Sequence, residues 1–142
     1  VGSEMWIRDS YRIIREDLFG NKERDQNDRL PVSYSVFIDP PLARIGINED
    51  DARKQNLDII IKKLPVAAIP RVKILGETNG LFKVIIDKKT NKILGCTLFG
   101  PEASELINLV ALAMKADLDY TFLRDFIYTH PSMSESMNQL LS

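Results

Sequence analysis

The chain has 142 residues, with 19 Lys and Arg against 20 Asp and Glu, a net charge of −1 and a hydrophobic fraction of 44%. This length suits one domain, large enough to bury a core without a disulfide or a structural metal. The even charge argues against a polyanion partner such as nucleic acid, the single cysteine excludes a disulfide framework or a multi-thiolate zinc site, the single histidine excludes any site needing two imidazoles, and no apolar run approaches the roughly 20 residues of a membrane span.

The chain opens at Val1 and its first methionine is Met5. Gly2 and Ser3 read as residues left by cloning, so residues 1–4 carry little weight and the whole reads as a piece of something longer. From Met5 to Phe19, Ile7, Tyr11, Ile14 and Leu18 recur at helical spacing, and Gly20 supplies a stop. Asn21 to Arg29 is polar and reads as a linker. Residues 5–31 are thus expected to form a helix and linker from a preceding domain, and residues 32–142 the main domain.

Val32 to Ile38 alternates, with Tyr34, Val36 and Ile38 on one face, and predicts a strand ended by Asp39-Pro40-Pro41. Asn48 is placed to cap a short helix over Glu49 to Gln55, whose acidic first turn suits the helix dipole. Leu57 to Leu64 predicts a second strand, and Pro65 puts its end at a sheet edge. Val66 to Leu75, interrupted by Pro70, has no clear period. Leu81 to Asp87 and Ile93 to Phe99 predict a strand pair around Lys88 to Lys92. The second of these is apolar or small on both faces, as a central strand would be.

Pro101 to Ala116 predicts a helix with Pro101 at its first position. Ala103, Leu106, Ile107, Val110, Ala111 and Met114 form a core stripe. Leu109, Leu112, Ala113 and Ala116 form a second apolar stripe beside it, which needs a second cover. Short helices follow over Tyr120 to Ile127 and Ser134 to Leu141. Hairpin-linked strands followed by grouped helices define an α+β fold, a mainly antiparallel sheet of four to five strands with helices packed on it.

The chemistry on offer is sparse. Gly95 and Gly100 have the spacing of a phosphate loop, but Pro101 and Glu102 stand where Lys and Ser/Thr are needed. Close strand packing at Gly95 and a helix entry at Gly100 account for them. Cys96 lies mid-strand among apolar neighbours and reads as a small buried hydrophobe. No metal site is expected. The remaining candidate is His130-Pro131-Ser132-Met133-Ser134-Glu135. In one reading Glu135 holds one ring nitrogen of His130 and leaves the other free for proton transfer. In the other, Ser132 and Glu135 form a capping box and His130 is an ordinary loop residue.

The segment Thr129 to Glu135 resembles the His-Pro-x-x-Ser-Glu signature that closes the flavin-dependent pyridine nucleotide–disulfide oxidoreductases, such as glutathione reductase, dihydrolipoamide dehydrogenase and mercuric reductase. Phe37 to Gly46 and Leu81 to Gly100 are similar to two further segments of that family, in the same order. The resemblance implies the C-terminal dimerisation (interface) domain, with FAD-binding and NAD(P)-binding domains upstream and a homodimer as the assembly. It implies that His130 is the acid–base for the partner subunit's redox thiols, that Glu135 orients it, and that His130 and Pro131 lie beside the partner's flavin.

It further implies FAD and NAD(P)H in the full-length enzyme, none bound to this chain alone, a cytoplasmic location, and no nucleic acid or membrane partner. Leu64 to Arg71 and Pro131 to Ser136 are similar to the bacterial branch linked to reactive-chlorine resistance and hypothiocyanous acid reduction. A mercuric reductase-like or glutathione reductase-like enzyme is the alternative within the family. A free-standing, non-catalytic oligomerisation module is the alternative outside it.

Overall fold

A computed structural model describes residues 3–20 and 31–142, without the side chains of Ser3 and Met5. The polar segment read as a linker, and the first two residues, lie outside the described residues. The described chain divides into two compact units at residues 32 and 33.

In the first unit, helix α1 spans Ser3–Phe19, and the amide of Gly20 closes it on the Glu16 carbonyl at 2.9 Å. Its apolar side chains Ile7, Tyr11, Ile14 and Leu18 are exposed.

The second unit is an α+β domain. Its strands are β1 (Tyr34–Val36), β2 (Leu42–Gly46), β3 (Ile59–Pro65), β4 (Leu81–Asp87) and β5 (Ile93–Phe99). They form one five-stranded sheet in the order β1-β2-β5-β4-β3, antiparallel throughout. Its helices are α2 (Glu49–Lys54), α3 (Pro70–Leu75), α4 (Ala103–Lys115), α5 (Tyr120–Asp125) and α6 (Ser136–Leu141).

The strand read as apolar on both faces, β5, is central, and β3, which ends at Pro65, is an edge. Gly95 sits on β5 where a Cβ would collide with the Ile47 carbonyl oxygen, so the glycine is required by the close approach of the chain crossing it.

Paired residues share a face, which divides the sheet cleanly. Ala43, Leu98 and Phe82 lie in one cross-strand row, and Ile45, Cys96 and Val84 in the next. All are buried, and α4 and α6 cover this face. The opposite face carries Arg44, Thr97, Lys83 and Lys63 in one row and Leu42, Phe99 and Leu81 in another. There Lys83 binds Glu49 at 2.8 Å, which lays α2 over one end of the sheet. Asn48 caps α2 as the sequence indicates, in a complete capping box with Asp51.

Several expectations are corrected. Strand β1 is only three residues long. Its alternating face, Tyr34, Val36 and Ile38, is exposed, because β1 is an edge and its register puts Tyr34 opposite Arg44 and Val36 opposite Leu42. Strand β2 was not anticipated as a strand: it follows directly on Pro40-Pro41 and carries Arg44. It nevertheless buries Ala43 and Ile45 between β1 and β5.

The segment without a period, Val66 to Leu75, becomes a 3-10 turn over Val66–Ala68 and then α3. Pro70 sits in the first turn of α3, and Gly76 closes it in the left-handed region. Helix α4 begins two residues after Pro101, with Glu102 at φ 58° as its N-cap, so Pro101 precedes the helix instead of opening it.

The core stripe of α4 divides by depth. Ala103, Leu106, Ile107, Val110 and Ala113 are buried, while Ala111 and Met114 are half-buried. Ala113, assigned by spacing to the second stripe, therefore belongs to the core. Helices α5 and α6 are each shorter than predicted by two residues. Asp119 caps α5 by accepting from the Thr121 amide at 2.9 Å.

Candidate functional site

His130 lies in the segment between α5 and α6, and both sides of that segment are anchored. Before it, the Tyr128 hydroxyl donates to the Leu123 carbonyl at 3.0 Å. Burial raises the Tyr128 pKa to about 12, so it remains a protonated donor. Phe126 meets the Tyr128 ring edge-on at 5.0 Å.

After His130, Met133 is buried and its carbonyl accepts from the Ser136 hydroxyl at 2.6 Å. The Asn138 amide donates to the carbonyls of Arg124 at 2.6 Å and Phe126 at 2.9 Å, tying α6 to the segment that enters the site. Lys62 holds the far end of α6 by donating to the carbonyls of Leu141 and Ser142. Nothing in the sequence marks Asn138, because its partners are backbone carbonyls on another element.

Within this frame Nδ1 of His130 lies 2.8 Å from Oε1 of Glu135. The other carboxylate oxygen, Oε2, accepts from the Ser132 amide at 2.8 Å. One oxygen of Glu135 thus meets the His130 ring and the other meets the turn before α6. The Ser132 amide, and after it His130, hold the Glu135 carboxyl below its ordinary value.

The capping box is only half formed. The Ser132 hydroxyl is buried without a hydrogen-bond partner, and α6 begins without a side-chain cap. The His130 side chain is 81% exposed, with Nδ1 engaged and Nε2 open. The His130–Pro131 peptide bond is cis.

Beside this pair is a cavity of about 200 Å³ whose lining includes Arg71, His130, Ser132, Glu135 and Ser136. Arg71 reaches it from α3, which the sequence alone had not connected with His130. A cavity of that size does not enclose a flavin. His130 and exposed Pro131 offer such a group no more than an edge contact.

Cys96 is free, buried and far from nucleophilic. Loss of solvent raises its thiol to about 12, and it packs within the sheet core. Among the described residues, no three His, Cys, Asp or Glu side chains gather as metal ligands, and no helix is long and apolar enough to cross a membrane.

The second apolar stripe of α4 meets α5 in an open groove of about 320 Å³ lined by Leu109, Leu112, Ala113, Ala116, Phe122 and Phe126 among others. Leu112 is 64% exposed and Phe122 and Phe126 are each 51% exposed. A groove this apolar at the surface is the signature of a contact face.

A five-stranded antiparallel sheet packed with helices, a carboxylate-held histidine before the C-terminal helix and an uncovered apolar groove together make an α+β domain with an exposed contact face. Residues 32–141 match the family described as pyridine nucleotide-disulphide oxidoreductase, dimerisation domain, and the chain belongs to that family.

Over 134 residues it is 49% identical to the probable pyridine nucleotide-disulfide oxidoreductase RclA of Escherichia coli K12, covering 94% of this chain and 30% of that protein. A dihydrolipoyl dehydrogenase of Halobacterium salinarum is 34% identical over 109 residues, 77% of this chain and 23% of the relative. Among solved structures, the HOCl-induced flavoprotein disulfide reductase RclA from Escherichia coli superposes with a TM-score of 0.87 at 49% identity, covering 94% of this chain and 31% of that one. LpdA from Mycobacterium tuberculosis shares the fold, with a TM-score of 0.78 at 23% identity over 90% of this chain and 28% of that one. The chain thus spans roughly a third or less of the length of these relatives.

Proposed function

We propose that this chain is the dimerisation domain of an FAD- and NAD(P)H-dependent disulfide oxidoreductase, in which His130 is the acid–base for the redox thiols of the partner subunit. The observation that carries this reading is the Nδ1–Oε1 bond of 2.8 Å between His130 and Glu135. It fixes the ring and leaves Nε2 facing outward. With Nδ1 held, Nε2 can take a thiol proton, and the imidazolium so formed can stabilise the thiolate. Glu135 orients the ring and offsets its positive charge, as a carboxylate does beside other proton-transferring histidines.

When bound, FAD supplies the passage of an electron pair from NAD(P)H to the disulfide. His130 and Pro131 are the residues of this domain that would hold it. The groove between α4 and α5 receives the same groove of a second copy, which accounts for an apolar face left open in one chain. A cytoplasmic location belongs to this reading.

The substrate proposed is a small reactive oxidant such as hypothiocyanous acid. Support comes from the 49% identical relative described as HOCl-induced. The test is steady-state turnover of the full-length protein with NADH or NADPH against hypothiocyanous acid, glutathione disulfide, lipoamide and mercuric ion. In His130→Gln, turnover is expected to fall by about 10²–10⁴, the usual contribution of a positioned general acid–base, with flavin content unchanged. Undiminished turnover would reject the acid–base role, and a protein without flavin or turnover would favour a bare oligomerisation module.

A further inference from the structure

We propose that the cavity between α3 and the His130 segment is an anion subsite, in which Arg71 and Ser132 hold the small monovalent anion released when an oxidant of the type HO–X is reduced. This rests on the functional reading above and extends it to a named binding site.

Arg71 is half-buried and lines the same cavity as His130. It has no ion-pair or hydrogen-bond partner among the described residues. A guanidinium without an internal partner is free to pair with an anion that enters the cavity. Ser132 lines the cavity too, and its buried hydroxyl has no partner. Its unmade hydrogen bond carries a cost that a ligand accepting from it would remove.

The other charged group in the lining is Glu135, and both of its oxygens are already engaged, one by His130 and one by the Ser132 amide. The cavity therefore presents the unpaired Arg71 guanidinium beside a carboxylate that is already partnered at both oxygens.

Size selects the ligand. With about 200 Å³ available, against roughly 300–1,000 Å³ for sites that hold drug-sized molecules, a few-atom anion fits and a peptide disulfide does not. Guanidinium is weakly hydrated, and so suits a weakly hydrated anion better than an ammonium does.

The chemistry balances at this place. A thiolate of the partner attacks X of HO–X, the S–X bond forms and the O–X bond breaks. The departing hydroxide takes the proton from Nε2 of the His130 imidazolium and leaves as water. The second thiol returns a proton to Nε2, and its thiolate attacks the sulfur of S–X. The disulfide forms and X⁻ leaves with the electron pair of the S–X bond, beside Arg71. The dithiol is oxidised, HO–X is reduced, and His130 ends as it began.

The test is thiocyanate binding to the full-length flavoprotein at constant ionic strength, followed by titration calorimetry, with hypothiocyanous acid turnover measured separately. The expected result is one saturable site per chain in the wild type. Affinity should fall at least 10-fold in Arg71→Gln, partly return in Arg71→Lys, and fall less in Ser132→Ala. Absence of saturable binding in the wild type, or equal affinity in Arg71→Gln, overturns the subsite. So does loss of dimer or flavin in Arg71→Gln and Arg71→Lys alike, which would make Arg71 a contact to another domain. Thiocyanate binding that depends on Arg71, in a protein that does not reduce hypothiocyanous acid, upholds the subsite and rejects only the proposed substrate.

Discussion

His130 and Glu135, five positions apart, meet through Nδ1 and Oε1 at 2.8 Å, while the second oxygen of the same carboxylate takes the Ser132 amide. One side chain thereby fixes both the ring and the backbone turn that carries it. Its supports are local backbone groups and the buried side chains of Met133 and Met137.

Replacing Glu135 separates orientation from structure. In Glu135→Gln the one acceptor oxygen can take the Ser132 amide or a ring N–H but not both; when it takes the amide, the NH2 group faces Nδ1 and holds the ring proton on Nε2, the wrong tautomer for accepting a proton there. Turnover in the full-length enzyme should fall by about 10-fold or more, less than for His130→Gln, within the range general acid–base catalysis contributes. Steady-state kinetics with flavin absorbance as the loading control checks this. An unchanged rate would show that Glu135 serves the turn alone.

Acid should weaken the same contact. The Glu135 carboxyl is held below its ordinary value of 4.5 by the Ser132 amide and then by His130. A carboxylate whose folded pKa is lowered gives stability that is present above its unfolded pKa and is lost as pH falls through the folded value. The difference in melting temperature between wild type and Glu135→Gln should therefore be present at about pH 5 and close on acidification below it. A gap that widens in acid would contradict the cited direction.

The groove between α4 and α5 should govern association. Leu112 is 64% exposed in the single chain, so Leu112→Glu leaves the monomer fold intact. In a dimer it would bury an unpaired carboxylate, at a cost of roughly 3–5 kcal/mol, which corresponds to weakening by about 100-fold or more. Sedimentation velocity across a concentration series reads this directly. An unaltered dimer would move the contact to another face.

Cys96 should be inert. With its thiol buried and raised to about 12, it should resist iodoacetamide under native conditions and react once the chain is unfolded. Mass spectrometry of the alkylated protein gives the ratio. Rapid native labelling would require the core face of β5 to open.

Much of the fold was legible because its signals are local. The period of α4, the capping residues of α2 and the apolar run of β5 each specify their element within a few residues, and so does the spacing from His130 to Glu135. Three things were not legible. β2 was hidden by Pro40-Pro41 and Arg44, and its identity as a strand depends on its neighbours β1 and β5. The outward turn of β1 depends on register, which alternation cannot choose without its partner. The half-formed cap at Ser132 depends on where that side chain is buried.

The shortage of catalytic parts, one histidine and one cysteine in a chain of even charge, was settled by the sequence alone. It confined any chemistry to the His130 segment. Tertiary structure alone decided what stands around that histidine. Arg71 comes to it from α3, far off in sequence, and Asn138 ties α6 to the carbonyls of Arg124 and Phe126 ahead of it; contacts of that kind leave no periodic mark in the residues that make them.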